Sequence, residues 1–152
     1  MKHWLMKSEP GEFGIDDLAS RPNQTEHWDG VRNYQARNMI RDEMKIDDLV
    51  FIYHSNCEVP AILGIARIVR EAYPDHTAFN PEHKHFDPMS KPDSPRWFMV
   101  DVQFVRKLRR AIPLVELKDK PELEGLTLIR RGNRLSVLPV PEEMWNFILS
   151  LE

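Results

Sequence analysis

Between Trp28 and Asn38 the chain sets a tryptophan, a tyrosine, two arginines and two asparagines in one short run, Trp28-Asp29-Gly30-Val31-Arg32-Asn33-Tyr34-Gln35-Ala36-Arg37-Asn38. Such side chains suit a flat polar ring. Aromatic faces stack on a nucleobase, amides match the donors and acceptors of its edge, and guanidinium groups attract neighbouring phosphates. The same residues also fit a plainer assignment, with Trp28 and Tyr34 in the core at a helix start and the arginines in water. Metal chemistry is poorly written here. His76, His83 and His85 share one stretch with Asp75, Glu82 and Asp87, but His83-x-His85 has no standard zinc spacing and Cys57 has no cysteine partner. No metal and no cofactor is expected. Ser8, between Lys7 and Glu9, sits in neither a G-x-S-x-G turn nor a phosphate-binding glycine loop. His54, closing an apolar run, is a candidate hydrogen-bonding group near a pocket, or a satisfied core histidine.

The elements that must position these residues follow from periodicity. His3 to Ser8 reads as a short strand ended by Pro10-Gly11, and Gly14 to Ala19 as a short helix. Asn33 is a credible N-cap for an amphipathic helix carrying Ala36, Met39, Ile40 and Met44, with Arg37, Arg41 and Lys45 on a separate stripe. The run Asp48 to His54 is nearly continuous in apolar and β-branched residues, as in a central strand covered on both faces. Ala61 to Val69 reads as its partner, with Gly64 marking a bulge, a barrel bend or a close approach to the backbone. Residues 73 to 95, rich in proline and histidine, read as a long irregular loop that packs over something. Arg96 to Val105 alternates, with Phe98, Val100, Val102 and Phe104 on one face, so Trp97 falls on the other and is a stacking candidate or a residue lying beneath the loop. Pro113 to Lys118 and the segment after Pro141 read as helices, with Trp145 in the core.

With 152 residues, 41% hydrophobic and 30% charged, the chain fits one α+β domain, residues 1–152, around a curved or closed sheet. A single cysteine excludes an internal disulfide framework, and no apolar run could span a membrane, so a cytoplasmic protein is expected. A net charge of −3 argues against binding to nucleic acid through bulk electrostatics. Positive charge nevertheless gathers at Arg106-Lys107-Leu108-Arg109-Arg110, a solvated face in the ordinary case, and at Arg130-Arg131-Gly132-Asn133-Arg134, whose Gly-Asn suits a tight turn.

Several segments taken in order resemble the EVE-domain family. These are Trp4-Leu5-Met6-Lys7-Ser8-Glu9-Pro10, the run from Trp28 to Asn38, Tyr53-His54-Ser55-Asn56, the stretch from Gly64 through Tyr73-Pro74-Asp75, Pro95-Arg96-Trp97, and Arg131-Gly132-Asn133-Arg134-Leu135-Ser136-Val137. The resemblance covers nearly the whole chain. It implies a PUA-like pseudobarrel, a strongly bent mixed or antiparallel sheet with helices packed outside, and non-enzymatic binding of a modified base, with modified cytosine the leading suggestion, in DNA or RNA. Carried onto this sequence, it implies polar contacts from Lys7 and Ser8, stacking walls at Trp28 and Trp97, and base-edge contacts from Asn33 and Tyr34. It also implies a rim at His54 and Asn56, and a hold on the nucleic-acid backbone by Arg32, Arg131 and Asn133. One departure is Asp47-Asp48, where such folds usually have a Gly-Asp turn. Two other functions compete: a small hydrolase of modified nucleosides using Lys7, Ser8, Glu9 and His54, and a peptide-binding module.

Overall fold

The computed structural model describes residues 1–152. In chain order the elements are β1 (His3–Ser8), α1 (Ile15–Ser20), β2 (Thr25–His27), α2 (Tyr34–Asp42), β3 (Leu49–His54), β4 (Ala61–Pro74), β5 (Phe98–Pro113), α3 (Leu114–Lys118), β6 (Val137–Pro139) and α4 (Glu142–Ser150). They form one six-stranded sheet in the order β2-β5-β4-β3-β1-β6. β1 and β3 are parallel, Lys7 opposite Tyr53 and Ser8 opposite His54, while the other pairs are antiparallel. No helix is long and apolar enough to cross a membrane.

Two apolar layers cover the sheet, which explains why β1 and β3 are apolar along their length. Trp4, Met6, Val50 and Ile52 pack beneath α1 and α2 with Leu18, Ala36 and Ile40. The alternate residues Leu5, Phe51 and Tyr53 face α3 and α4 with Leu117, Trp145 and Ile148. Trp145 is core, stacked on Phe51 with ring centroids 3.7 Å apart. Trp4 donates its indole N–H to the buried Asp48 carboxylate at 3.0 Å, and the Lys2 and Lys45 backbone N–H groups complete that acid's shell. Asn33 caps α2 by accepting the Ala36 N–H at 3.0 Å.

The sheet is bent but not closed, so of the curved or closed forms expected the open, curved one is present. Register shifts interrupt the β4–β5 ladder at several points and bend it. The edge strands β2 and β6, three residues each, stay at opposite ends of the sheet. At Gly64 the register shifts, and a Cβ there would lie 2.8 Å from the Ile15 side chain and 2.9 Å from the Arg106 carbonyl. The bulge and the close approach are therefore one feature. β4 and β5 run further than periodicity suggested, and the Arg106–Arg110 cluster lies on β5, where Arg106 pairs with Glu152 and Arg110 with Glu116.

Candidate functional site

Because β1 and β3 are parallel, their carboxyl ends lie together, and the Ser55 N–H donates to the Ser8 carbonyl at 2.9 Å. The Lys7 N–H donates to the Ser136 carbonyl, drawing the segment before β6 to the same end. A cavity of about 580 Å³ opens there, with Lys7, Ser8, Phe13, Trp28, Asp29 and Arg134 in its lining. Trp28 is fixed by its backbone N–H, donated to the Val100 carbonyl at 2.8 Å, and by an edge-to-face contact with Phe13 at 6.0 Å between centroids. It is only 7% exposed, yet it helps form the cavity wall.

Two of the lining residues carry an unpartnered polar group. The half-buried Lys7 ammonium has no carboxylate within ion-pair distance, lies 5.9 Å from the Tyr53 ring centre, and burial pushes its pKa down. The Ser8 hydroxyl is buried without a hydrogen-bond partner. A ligand bringing acceptors would satisfy both. Acceptors stand in the same lining: Glu9, and Asp29, which has the His83 imidazole at 3.8 Å. The combination of an aromatic wall, two free donors and nearby carboxylates fits a ring whose edge both accepts and donates.

The long loop closes one side. Gly30 has φ +82°, and a Cβ there would lie 2.5 Å from the His85 ring, so the imidazole rests against the Gly30 backbone. The Gly30 N–H and the Arg32 guanidinium both donate to Asp75 at 2.9 Å. Arg32 also donates to the His85 carbonyl at 2.7 Å. Burial would push the Asp75 carboxyl up. Hydrogen bonds from Thr77, Gly30 and Arg32, with the charge of Arg32, outweigh that and hold it below the usual carboxylate range.

The structure distributes the residues singled out in the sequence over three places. Lys7, Ser8 and Trp28 line the cavity. Asn56 reaches its rim indirectly, donating to Glu9 at 3.1 Å, and His54 lies one layer out, its Nε2 accepting the Ile15 N–H at 3.1 Å. Arg32, Tyr34 and Trp97 belong to the anchoring of the loop. Trp97 is 6% exposed, donates its indole N–H to Asp87 at 2.6 Å and stacks on Tyr34 at 4.8 Å. Arg32 serves the buried Asp75, which no local spacing in the sequence could reveal. Asn33, Arg131 and Asn133 meet in a second groove of about 390 Å³. His83 and His85 lie ring to ring at 5.2 Å and His76 stands against His27, with no cluster of three or more ligating side chains. Phe13, Asp29 and Arg134 were missed as lining residues. Arg134 follows a turn at Gly132, where φ is +79°, and that Gly-Asn turn between arginines was its one signal.

A family model described as the EVE domain matches residues 2–151. Thymocyte nuclear protein 1 of Mus musculus is 52% identical over 99% of this chain and 73% of its own length. The crystal structure of human THYN1 protein in complex with 5-methylcytosine-containing DNA is similar at a TM-score of 0.95 and 49% identity, covering 99% of this chain and 97% of that one. A crystal structure of a Pseudomonas putida protein gives a TM-score of 0.94 at 48% identity, covering 98% of each chain.

Proposed function

The chain belongs to the EVE-domain family, and from that premise we propose that it binds a modified nucleobase, with 5-methylcytosine the leading candidate, in the cavity beside Trp28. The observation that carries this reading is that Trp28, Lys7 and Ser8 line one cavity while the Lys7 ammonium and the Ser8 hydroxyl have no hydrogen-bond or ion-pair partner. Its volume falls within the range of small-ligand sites. A flipped or unpaired cytosine accepts hydrogen bonds at O2 and N3 and donates from its 4-amino group. Lys7 and Ser8 supply the donors, and Asp29 or Glu9 the acceptor. Human THYN1, bound to 5-methylcytosine-containing DNA in the similar crystal structure, supports the choice of base. Burying one methyl group contributes on the order of 1 kcal/mol, so edge hydrogen bonds must supply the rest of the selectivity.

In this reading Arg131 and Asn133 hold the nucleic-acid backbone, His54 and Asn56 support the rim, and Asn33, Tyr34, Trp97 and Arg32 fix the helix start and loop that frame the cavity. Binding proceeds without turnover. The Ser8 hydroxyl has no base hydrogen-bonded to it, and the His54 Nε2 is already occupied by Ile15. DNA is the first polymer to test, and modified RNA presents the same ring. For location, the lone cysteine suits a reducing compartment, the cytoplasm in the sequence reading, while the mouse relative's name ties that protein to the nucleus, which is also reducing.

Calorimetric titration with matched oligonucleotides containing 5-methylcytosine or cytosine tests the proposal. Tighter binding of the methylated strand, with the nucleoside recovered unaltered by mass spectrometry, is expected. Equal affinity for the two strands, or a chemically changed nucleoside, contradicts it.

A further inference from the structure

Resting on that reading, we infer that the gripped nucleotide is held at one end of the footprint: the strand leaves the cavity on one side only, across Arg134 into the groove beside the N-terminus of α2. Arg134 lines both the base cavity and that second groove, and no other residue is common to the two linings. The groove holds Arg130 and Arg131 together with Gln35, Asn33 and Asn133. None of the three arginines makes an ion pair or a side-chain hydrogen bond, whereas of the other arginines only Arg70, which lies over the Tyr73 ring, and Arg109 lack such a side-chain partner. The Asn133 amide nitrogen is buried without a partner.

The rest of the cavity rim offers a phosphate nothing comparable. Arg21 is neutralised by Glu26 at 2.8 Å and Lys84 by Glu12 at 3.0 Å. Glu9 adds an unneutralised carboxylate, and Asp29 faces only His83. Lys7 is half-buried within the wall rather than exposed on the rim. A polyanion threading past on both sides would meet acids on one of them, whereas a strand continuing over Arg134 meets free guanidinium groups and amides in a groove with no acid in its lining.

Three probes test this: free 5-methyl-2′-deoxycytidine, and two single strands of about five nucleotides, near the lower end of known single-strand site sizes, carrying 5-methylcytosine at the 5′ or the 3′ terminus. One strand should bind more tightly than the other, and its log K should fall more steeply with log salt by about 1.4, the value for two single-strand phosphate contacts. The double variant Arg130→Gln, Arg131→Gln should erase that difference and leave nucleoside affinity unchanged. Neither side chain makes a hydrogen bond, so the fold should persist, and the melting curve checks it. If the nucleoside binds but the two strands match in affinity and slope, or if the double variant weakens nucleoside and strands alike, one-sided exit is wrong while the base cavity stands. If neither nucleoside nor strands bind, both readings fall.

Discussion

At the scale of the residue, the run from Trp28 to Tyr34 combines two jobs that the sequence could not separate. Trp28 reaches the cavity, whereas Arg32 is directed at a buried acid far along the chain. Trp28→Ala should weaken binding of a methylated strand by roughly 1 to 3 kcal/mol if the indole stacks on the base, measured by titration on protein shown to be folded by circular dichroism. Lys7→Met should cost roughly 1.5 kcal/mol of affinity or more, the value of a hydrogen bond to a charged group. Its melting temperature should equal or exceed the parent's, because a half-buried cation without a partner is lost. Asp75→Asn should destabilise the fold by about 3 kcal/mol, since it leaves the Arg32 charge without its anion. The pH dependence follows from the lowered Asp75 pKa. The folded protein binds fewer protons than the unfolded chain between the folded value and 3.8, so the stability contributed is present above 3.8 and lost as pH falls through the folded value. Urea denaturation of parent and variant across acid pH should therefore show the gap closing. The place of Trp28 in a cavity wall was legible because residue type and neighbourhood suggest it, whereas Lys7 entered only through the family resemblance. Trp97 lies beneath the loop, one of the two places its strand position allowed, but the duty of Arg32 was not legible, because Asp75 comes to it through tertiary folding.

At the scale of the element, local signals worked where one physical cause dominated. Asn33 was recognisable as a cap, β3 as a buried central strand, and Gly64 as a break in an otherwise regular strand. The second half of β5 escaped notice because only Leu108 and Ile112 are buried there, and the basic residues between them interrupt the alternation. The turn before β3 carries a testable irregularity. Asp47 has φ +76°, in the region that glycine occupies without strain, and it forms only an exposed ion pair with Arg67. Asp47→Gly should stabilise the protein by about 0.5 kcal/mol, the relief of left-handed strain less the added freedom of the unfolded chain; a drop in the denaturation midpoint contradicts this.

At the scale of the whole molecule, function depends on the open, mixed sheet. One parallel pair in an otherwise antiparallel arrangement brings Lys7, Ser8 and Ser55 to a common end, where the cavity opens. Composition and length gave the α+β class, and resemblance gave the family, but closure of the sheet depends on edge strands too short to read from periodicity. The basic turn at residues 130–134 looked minor in a chain of net charge −3. Its weight comes from the ion pairs that neutralise cations elsewhere. The most direct test of the cavity is a crystal structure of this protein with a short strand containing 5-methylcytosine. The account predicts the methylated ring beside Trp28, with Lys7 within hydrogen-bond distance of its edge. A ring seated on the Tyr34–Trp97 stack, or anywhere else with the cavity filled only by solvent, would contradict it.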